Sequence, residues 1–230
     1  MRSQRNNRLR EMQLAFIGKL MASLSHENKN LLAIIKESCG LIEDLLMIEE
    51  PGQPADPDRY KKNFSVINER IEQAAEMCRF LSGFSHRMDQ PLASISVTDV
   101  LQEKIYFLRR FATQKQVDLV SSFDEDLPAI FNDPSLLQFA IFCIVWPALE
   151  SMEPGNRILI KVVRKNQSVE VIINLEGKIE RTDNDTPWED MLPDVLQMLG
   201  AELSRRIDQD GNEEVVVTIS SIEDTYRDNT

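Results

Sequence analysis

The feature that most restricts the fold is a long proline-free stretch near the start of the chain. Residues 4–48 contain no proline, and their apolar side chains recur at intervals of three, four and seven residues from Leu9 to Leu46. That spacing places the apolar side chains along one side of a helix. The stretch is therefore predicted to form one long amphipathic α-helix.

A turn and a second amphipathic segment follow this helix. The segment from Glu49 to Asp58, EEPGQPADPD, is rich in proline and predicts a turn. The helical period resumes from Tyr60 to Met88, so the two segments predict a helical hairpin. One hairpin cannot bury so long an apolar stripe, whereas two hairpins from two chains can bury it in a four-helix bundle. We therefore expect a homodimer.

The remainder of the chain alternates between helical and strand-like segments. It predicts a helix over 98–116 with Thr98 or Asp99 as its N-cap, a strand (VDLVSSF), an apolar helix over 136–152, a hairpin, a helix over 188–203 and a final hairpin. This order is typical of an α+β sandwich with helices over one sheet face. Two domains are predicted, a helical one over residues 1–90 and a sheet-containing one over 91–230.

Charge and cysteine content restrict the partners and the compartment. The 230 residues carry a net charge of −12, which argues against a general binder of nucleic acid or of anionic membranes. We expect no membrane segment in this chain, because no apolar run approaches the length of a span. Cys39, Cys78 and Cys143 lie far apart in apolar runs, and we interpret them as buried thiols in a reducing, cytoplasmic compartment, without metal-binding spacing.

His26 is one of two histidines and lies in the segment SLSHENKNLLAIIK. At about 100° per residue it lies away from the apolar stripe and shares its side of the helix with small and polar residues: Lys19, Ala22, Ser23, Lys29, Asn30, Ala33 and Glu37. A neutral imidazole is a nucleophile, Glu27 could hold the proton on its second nitrogen, and Asn30 could bond a water or a phosphoryl oxygen. By itself, such a histidine is far more often an ordinary surface residue.

This segment resembles the H-box of sensor histidine kinases. Residues 8–88 resemble the dimerisation and histidine-phosphotransfer hairpin of that family, and residues 97–221, with VTDVLQEKIYFL, IFNDPSLLQFAIFCIVWPALESM and EEVVVTIS in the expected order, resemble its ATP-binding domain, the GHKL or Bergerat fold. The resemblance implies that His26 is the phospho-acceptor, Glu27 its acid/base partner and Asn30 a phosphatase or phosphoryl-contact residue. Leu31 stands where the family has a proline.

The nucleotide-binding motifs of that family are altered in this chain. The two Asn-box positions hold Cys143 and Pro147, whose side chains offer no hard oxygen ligand to Mg²⁺. The adenine loop has Asn174 in place of its aspartate and keeps only Gly177, and the lid segment 178–187 is acidic and contains no glycine. We therefore predict a degenerate nucleotide site and no cofactor in this chain, with Mg²⁺ supplied by the receiver partner.

The predicted function is that of a kinase-derived histidine phosphotransferase. It would exchange phosphoryl groups at His26 with the receiver domain of a response regulator, which would dock on the face formed by Lys19, Ala22, Ser23, Lys29 and Ala33. Three alternatives remain open: a response-regulator phosphatase that uses Asn30, a non-catalytic dimeric regulator of a kinase or receiver, and an active sensor kinase with unusual ATP contacts.

Overall fold

The structure, a computed structural model, describes residues 2–48, 57–88, 92–177 and 187–222. Within these ranges the elements are α1 (Arg2–Ile48), α2 (Pro57–Met88), β1 (Ala93–Ile95), α3 (Val97–Gln114), β2 (Asp118–Phe123), β3 (Ile130–Asn132), α4 (Pro134–Ser151), β4 (Arg157–Lys165), β5 (Ser168–Glu176), α5 (Pro187–Leu199), β6 (Glu202–Ile207) and β7 (Glu213–Ile219). They form two units: a helical unit of residues 14–82, and a sheet unit of residues 1–13 and 83–230. The predicted turn over 49–58 lies outside the described residues except for its last two residues, which begin α2, and the predicted domain boundary at residues 90 and 91 also lies outside them.

The long first helix is confirmed, and it continues without interruption through the H-box-like segment. Its apolar period buries Phe16, Leu20, Leu24 and Leu31. Leu31 donates a backbone N–H that a proline would lack, so this position can continue the regular helix. The predicted stripe is not buried at its end, since Leu46 is exposed.

A second apolar stripe on α1 remains exposed in the single chain. Leu14, Met21, Leu32 and Leu46 are between 45% and 67% exposed, and Cys39 is exposed with them. At about 100° per residue these five side chains lie within about 40° of one another, next to the buried side of the helix. We call these five residues the outer stripe.

The interpretation of all three cysteines as buried thiols is wrong for two of them. Cys39 and Cys78 are exposed, and only Cys143 is buried. Cys78 follows Phe64 and Ile71 at intervals of seven residues on α2, and those two apolar side chains are also about half exposed. Apolar neighbours in sequence therefore did not indicate burial, because the helical period turns these positions outward.

The sheet unit has a five-stranded sheet in the order β2-β4-β5-β7-β6. The β2–β4 pair is parallel and the other pairs are antiparallel. A parallel pair requires a crossover, and α4 lies in this one. Along β5 and β7 the side chains alternate between fully buried and half-buried, so one face of the sheet packs into the core. This architecture confirms the predicted α+β class and the order of its main elements.

A short antiparallel pair, β1–β3, was not predicted. Each of its strands has three residues, which is too short for a period-2 pattern to be visible in the sequence. Beyond β7, the backbone N–H of Ile222 donates to the carbonyl of Phe131 in β3. The end of the described chain therefore continues the pairing of this small sheet.

Local chemistry sets where the helices of the sheet unit begin and end. The N-cap of α3 is Ser96, whose Oγ accepts from the backbone N–H of Asp99, so the prediction of Thr98 or Asp99 was wrong. The N-cap of α4 is Asp133, which accepts two backbone N–H bonds. Helix α5 ends at Leu199 and not at residue 203, because Gly200 takes a φ of +58° and turns the chain into β6.

Helix α4 is long and apolar enough, by length and composition, to be a membrane-span candidate within the described part of the chain. However, 83% of it is buried inside the fold. The core helix of a globular domain has this same composition.

Candidate functional site

His26 is exposed on α1, on the side of the helix opposite the buried Leu24 and Leu31. The residues predicted to share its face occupy that side: Ala22, Lys29, Asn30 and Ala33 are exposed, and Lys19 and Ser23 are half-buried. The structure thus assembles a face of small and polar side chains around the imidazole. Whether this face docks a partner remains a prediction.

Asn30 makes a direct contact with the imidazole ring. Its Nδ2 lies 3.2 Å from Nδ1 of His26. Residues four apart are neighbours on a helix surface, so α1 by itself provides the spacing for this contact. From the sequence, Asn30 was expected to reach a water or a phosphoryl oxygen, and its contact with the ring was not anticipated.

Glu27 is half-buried on α1, one residue after His26. Adjacent helix residues point about 100° apart, so the two side chains do not leave the helix in the same direction. The acid/base role of Glu27 therefore remains a prediction.

The two residues at the Asn-box positions are one helical turn apart on α4, and both are buried. Pro147 lacks the backbone N–H that would otherwise bond to the carbonyl of Cys143. Burial raises the pKa of the Cys143 thiol to about 12, and the nearby Lys104 only partly opposes this shift. At neutral pH the side chain of Cys143 is therefore an uncharged thiol, which is a poor ligand for Mg²⁺.

Aromatic side chains from α3, α4 and α5 pack together, and two of them, Phe142 and Trp146, directly precede the two Asn-box positions in the sequence. The Phe142 ring stacks on Trp146 at 5.2 Å and meets Trp188 edge-on at 4.8 Å, and Phe111 meets Trp146 edge-on at 4.7 Å. Trp146 and Trp188 are both buried, as core aromatics are expected to be. These rings fill space between the helices with apolar surface.

Lys104 on α3 is completely buried, and its Nζ lies 4.4 Å from the centroid of the Phe142 ring. Desolvation lowers the pKa of this amine well below its usual range, and the electrostatic influence of Cys143 opposes that shift. No pattern in the sequence indicated that Lys104 would be buried, because lysine is among the residues least often found inside proteins.

Asn174 lies near the end of β5, on the face opposite the buried Ile173 and Leu175. There it lines a groove of about 480 Å³ together with Arg206, Asp208 and other polar residues. The structure therefore does not bring Asn174 to the sheet face that packs into the core. Strand alternation means that a one-residue difference in register changes the face on which a side chain lies.

Gly177 has a local structural requirement that involves no ligand. Its φ is +111°, and its backbone N–H donates to Oδ1 of Asn212 at 2.9 Å. A Cβ at this position would lie 2.4 Å from Oδ1 of Asn156. The positive φ and the close approach of Asn156 each require glycine at this position. Residues 178–186 of the lid segment, which was predicted to be degenerate, lie outside the described part of the chain.

Comparisons with known proteins find a similar sequence and similar folds among histidine kinases. No family model matches the chain. The signal transduction histidine-protein kinase AtoS of Escherichia coli (strain K12) is 25% identical over 160 residues, which are 70% of this chain and 25% of AtoS. This chain thus spans about a quarter of the length of that protein.

Two solved structures align with this chain, and the first of them supports the likeness in fold. The nucleotide-free catalytic domain of histidine kinase ThkA aligns with a TM-score of 0.50 and 10% identity, covering 57% of this chain and 98% of that one. The histidine kinase AdeS of Acinetobacter baumannii aligns with a TM-score of 0.49 and 13% identity, covering 86% of this chain and 98% of that one.

Proposed function

We propose that this chain, a member of the sensor histidine kinase family by its similarity to AtoS and its catalytic-domain fold, acts in two-component signalling as a histidine phosphotransferase. It would accept and donate phosphoryl groups at His26 and would not use ATP. Its partner would be the receiver domain of a response regulator.

The observation that carries this proposal is the placement of His26. The imidazole is exposed on a face of small and polar residues, and Asn30 contacts its Nδ1. The other ring nitrogen, Nε2, is separated from Nδ1 by one carbon atom and takes no part in this contact. A receiver approaching this face would therefore meet a ring whose orientation is already restricted, which favours a reaction that depends on positioning.

The transfer step needs only a nucleophilic nitrogen and a proton acceptor from this chain. The lone pair of Nε2 attacks the phosphorus of a phospho-aspartate, the P–N bond forms, and the P–O bond to the aspartate breaks. The aspartate leaves as a carboxylate with the bonding electrons, and the surplus Nδ1 proton of the imidazolium passes to solvent or to Glu27. Charge on the phosphoryl oxygens would be neutralised by the Mg²⁺ of the receiver and by the lysines of the docking face.

The environment of Cys143 and Pro147 supports phosphate acceptance from a protein over acceptance from ATP. A buried neutral thiol and a proline occupy the positions where the family has asparagines, and the residues just before them, Phe142 and Trp146, stack their rings on one another. Asn174 faces the other side of the sheet. A triphosphate with its metal would find neither oxygen ligands nor an adenine-binding carboxylate among these residues.

Homodimerisation through the helical unit is part of the proposal. The outer stripe of α1, together with Phe64 and Ile71 of α2, leaves several large apolar side chains exposed in one copy. Burying them against a second copy would form the four-helix bundle that the sequence predicts. We place this dimer in the cytoplasm, where receiver domains and reduced thiols occur together.

A response-regulator phosphatase is a second candidate, favoured by the exposed amide of Asn30 beside His26. The two activities differ in their product. A phosphotransferase accumulates phosphate on His26, whereas a phosphatase releases inorganic phosphate and retains activity in His26→Ala. A non-catalytic regulator would leave the phosphate on the receiver, and its signalling in cells would survive the same substitution.

The experiment that tests the proposal mixes the full chain with candidate receivers carrying labelled phospho-aspartate. Transfer of label to the wild-type chain and none to His26→Ala supports the phosphotransferase. Conversion of the label to free phosphate by both proteins supports the phosphatase. Label gained from ATP and Mg²⁺ without a receiver would contradict the proposed loss of kinase activity.

A further inference from the structure

The contact between Asn30 and Nδ1 of His26 has a consequence for the chemistry of the ring. From it we infer that Asn30 is a positioning residue that controls the protonation of Nδ1, and that its amide group protects phosphorylated His26 from hydrolysis. This inference rests on the proposed function, because it assumes that His26 carries a phosphoryl group.

The two states of the ring place opposite demands on whatever contacts Nδ1. Before transfer, Nε2 needs a free lone pair, so the proton of a neutral imidazole must reside on Nδ1, and its partner must accept. After transfer, Nε2 is bonded to phosphorus and the neutral ring has a lone pair on Nδ1, so its partner must donate. An asparagine amide carries an acceptor, Oδ1, and a donor, Nδ2, and can therefore serve both states.

The described arrangement, with Nδ2 facing Nδ1 at 3.2 Å, matches the phosphorylated ring. Rotation of the terminal amide by 180° brings Oδ1 to the same place and matches the ring before transfer. Asn30 is exposed, so core packing does not oppose this rotation.

The donor contact also explains how a phosphoryl group could persist on His26. Protonation of Nδ1 turns the ring into a better leaving group, because cleavage of the P–N bond then releases a neutral imidazole. A hydrogen bond donated to the Nδ1 lone pair competes with that protonation. Asn30 would thus slow the attack of water until a receiver takes the phosphoryl group.

Asn28 offers a matched control on the same helix. It is an exposed asparagine like Asn30, but at about 100° per residue it leaves the helix about 160° away from His26. Both substitutions add one negative charge to the same helix, but Asn28→Asp adds it on the side of the outer stripe, and only Asn30→Asp changes the group that contacts Nδ1.

The test uses the full chain with His86→Gln, so that His26 is the single remaining histidine. Potassium phosphoramidate, a small phosphoryl donor, phosphorylates His26 without a receiver, and ³¹P NMR follows the decay. Asn30→Asp, which loses this bond and whose negative charge also favours the protonated ring, should shorten the lifetime of the phosphohistidine about three- to tenfold, the scale of one hydrogen bond. Asn30→Ala should shorten it less, and Asn28→Asp should leave it unchanged.

The nitrogen shifts of ¹⁵N-labelled, unphosphorylated His26 provide a readout that a purely structural role would not move. Asn30→Asp should increase the fraction of rings with hydrogen on Nδ1, and Asn30→Ala should move the ring toward the Nε2–H form that free imidazole prefers. Equal phosphohistidine lifetimes in the wild type and Asn30→Asp, or unchanged nitrogen shifts in both Asn30 variants, would overturn the inference. If these effects appear but no receiver exchanges phosphate with His26, the proposed function fails and the role of Asn30 stands.

Discussion

Glu103 joins the last turn of α2 to the core of the sheet unit, and its replacement by alanine should destabilise this unit strongly. Its two carboxylate oxygens accept from Nε of Arg87 at 3.1 and 3.0 Å, and one also accepts from Nε2 of Gln138 at 3.1 Å. The side chain of Glu103 is only 11% exposed. Water therefore has little access to replace the carboxylate once it is removed.

The expected cost follows from the groups left behind. Gln138 is fully buried, and an unsatisfied buried donor costs about 1–3 kcal/mol. Removing one partner of a buried ion pair with its hydrogen bonds costs about 3–5 kcal/mol in total, which is a large part of the stability of an ordinary domain. We therefore expect Glu103→Ala to lower the free energy of unfolding by about 3–5 kcal/mol.

Urea denaturation followed by tryptophan fluorescence measures this cost, because Trp146 and Trp188 both lie in the core of the sheet unit. The matched control is Asp118→Ala. It removes an ion pair with Arg157 at 3.4 Å whose side chains are 66% and 44% exposed, and it should cost less than about 1 kcal/mol. Equal unfolding free energies for Glu103→Ala and Asp118→Ala would refute the reasoning from burial.

Three further predictions concern the same unit and the helical hairpin. Gly83→Ala should lower the urea midpoint by the equivalent of about 1–3 kcal/mol, since its Cβ would lie 2.5 Å from Oε1 of Glu103; a midpoint equal to that of the wild type would contradict the close approach. Lys104→Met should stabilise the sheet unit at neutral pH and should make its free energy of unfolding less dependent on pH. Because the pKa of Lys104 is lowered in the folded state, the unfolded state binds more protons. The stability of the wild type should therefore rise as the pH approaches 10.5, the ordinary pKa of lysine. Denaturation curves between about pH 7 and pH 9 should show a smaller rise in the variant. Leu32→Asp, in the outer stripe, should convert dimers to monomers in light-scattering measurements while the helical circular dichroism signal persists, and Asp44→Lys should not; an unchanged molar mass for Leu32→Asp would argue against this interface.

The helical period in the sequence was sufficient to predict α1, α2 and the order of the main elements of the sheet unit. It could not distinguish the side of α1 that is buried within one chain from the neighbouring side that holds Cys39, because both carry apolar residues. A hydrophobic pattern reports that a surface is apolar, and it does not report which chain covers it.

The ends of elements were less predictable, because several nearby residues offer the same chemistry. Ser96, Thr98 and Asp99 are all good N-cap residues. Ser96 is the N-cap because β1 ends at the residue before it. Gly200 is a typical residue to follow the end of a helix, but apolar residues continue beyond it, and the predicted helix was therefore extended past it.

For the candidate site, the sequence placed His26 on the correct side of α1, and the four-residue spacing to Asn30 already implied that their side chains are neighbours. The burial of Lys104 and the outward direction of Asn174 depend on the packing of α3 against α4 and on strand register. Those contacts connect residues far apart in the chain, so a local pattern could not reveal them.

The most direct test of phosphate acceptance by His26 is a two-arm labelling experiment on the full chain. In one arm a receiver carrying ³²P-phospho-aspartate and Mg²⁺ is the only phosphoryl donor, and in the other arm γ-³²P-ATP with Mg²⁺ is the only donor. We predict label on the wild-type chain in the receiver arm alone, and no label on His26→Ala in either arm. Label from ATP on the wild-type chain, or equal labelling of His26→Ala by the receiver, would contradict a histidine phosphotransferase that works without a nucleotide.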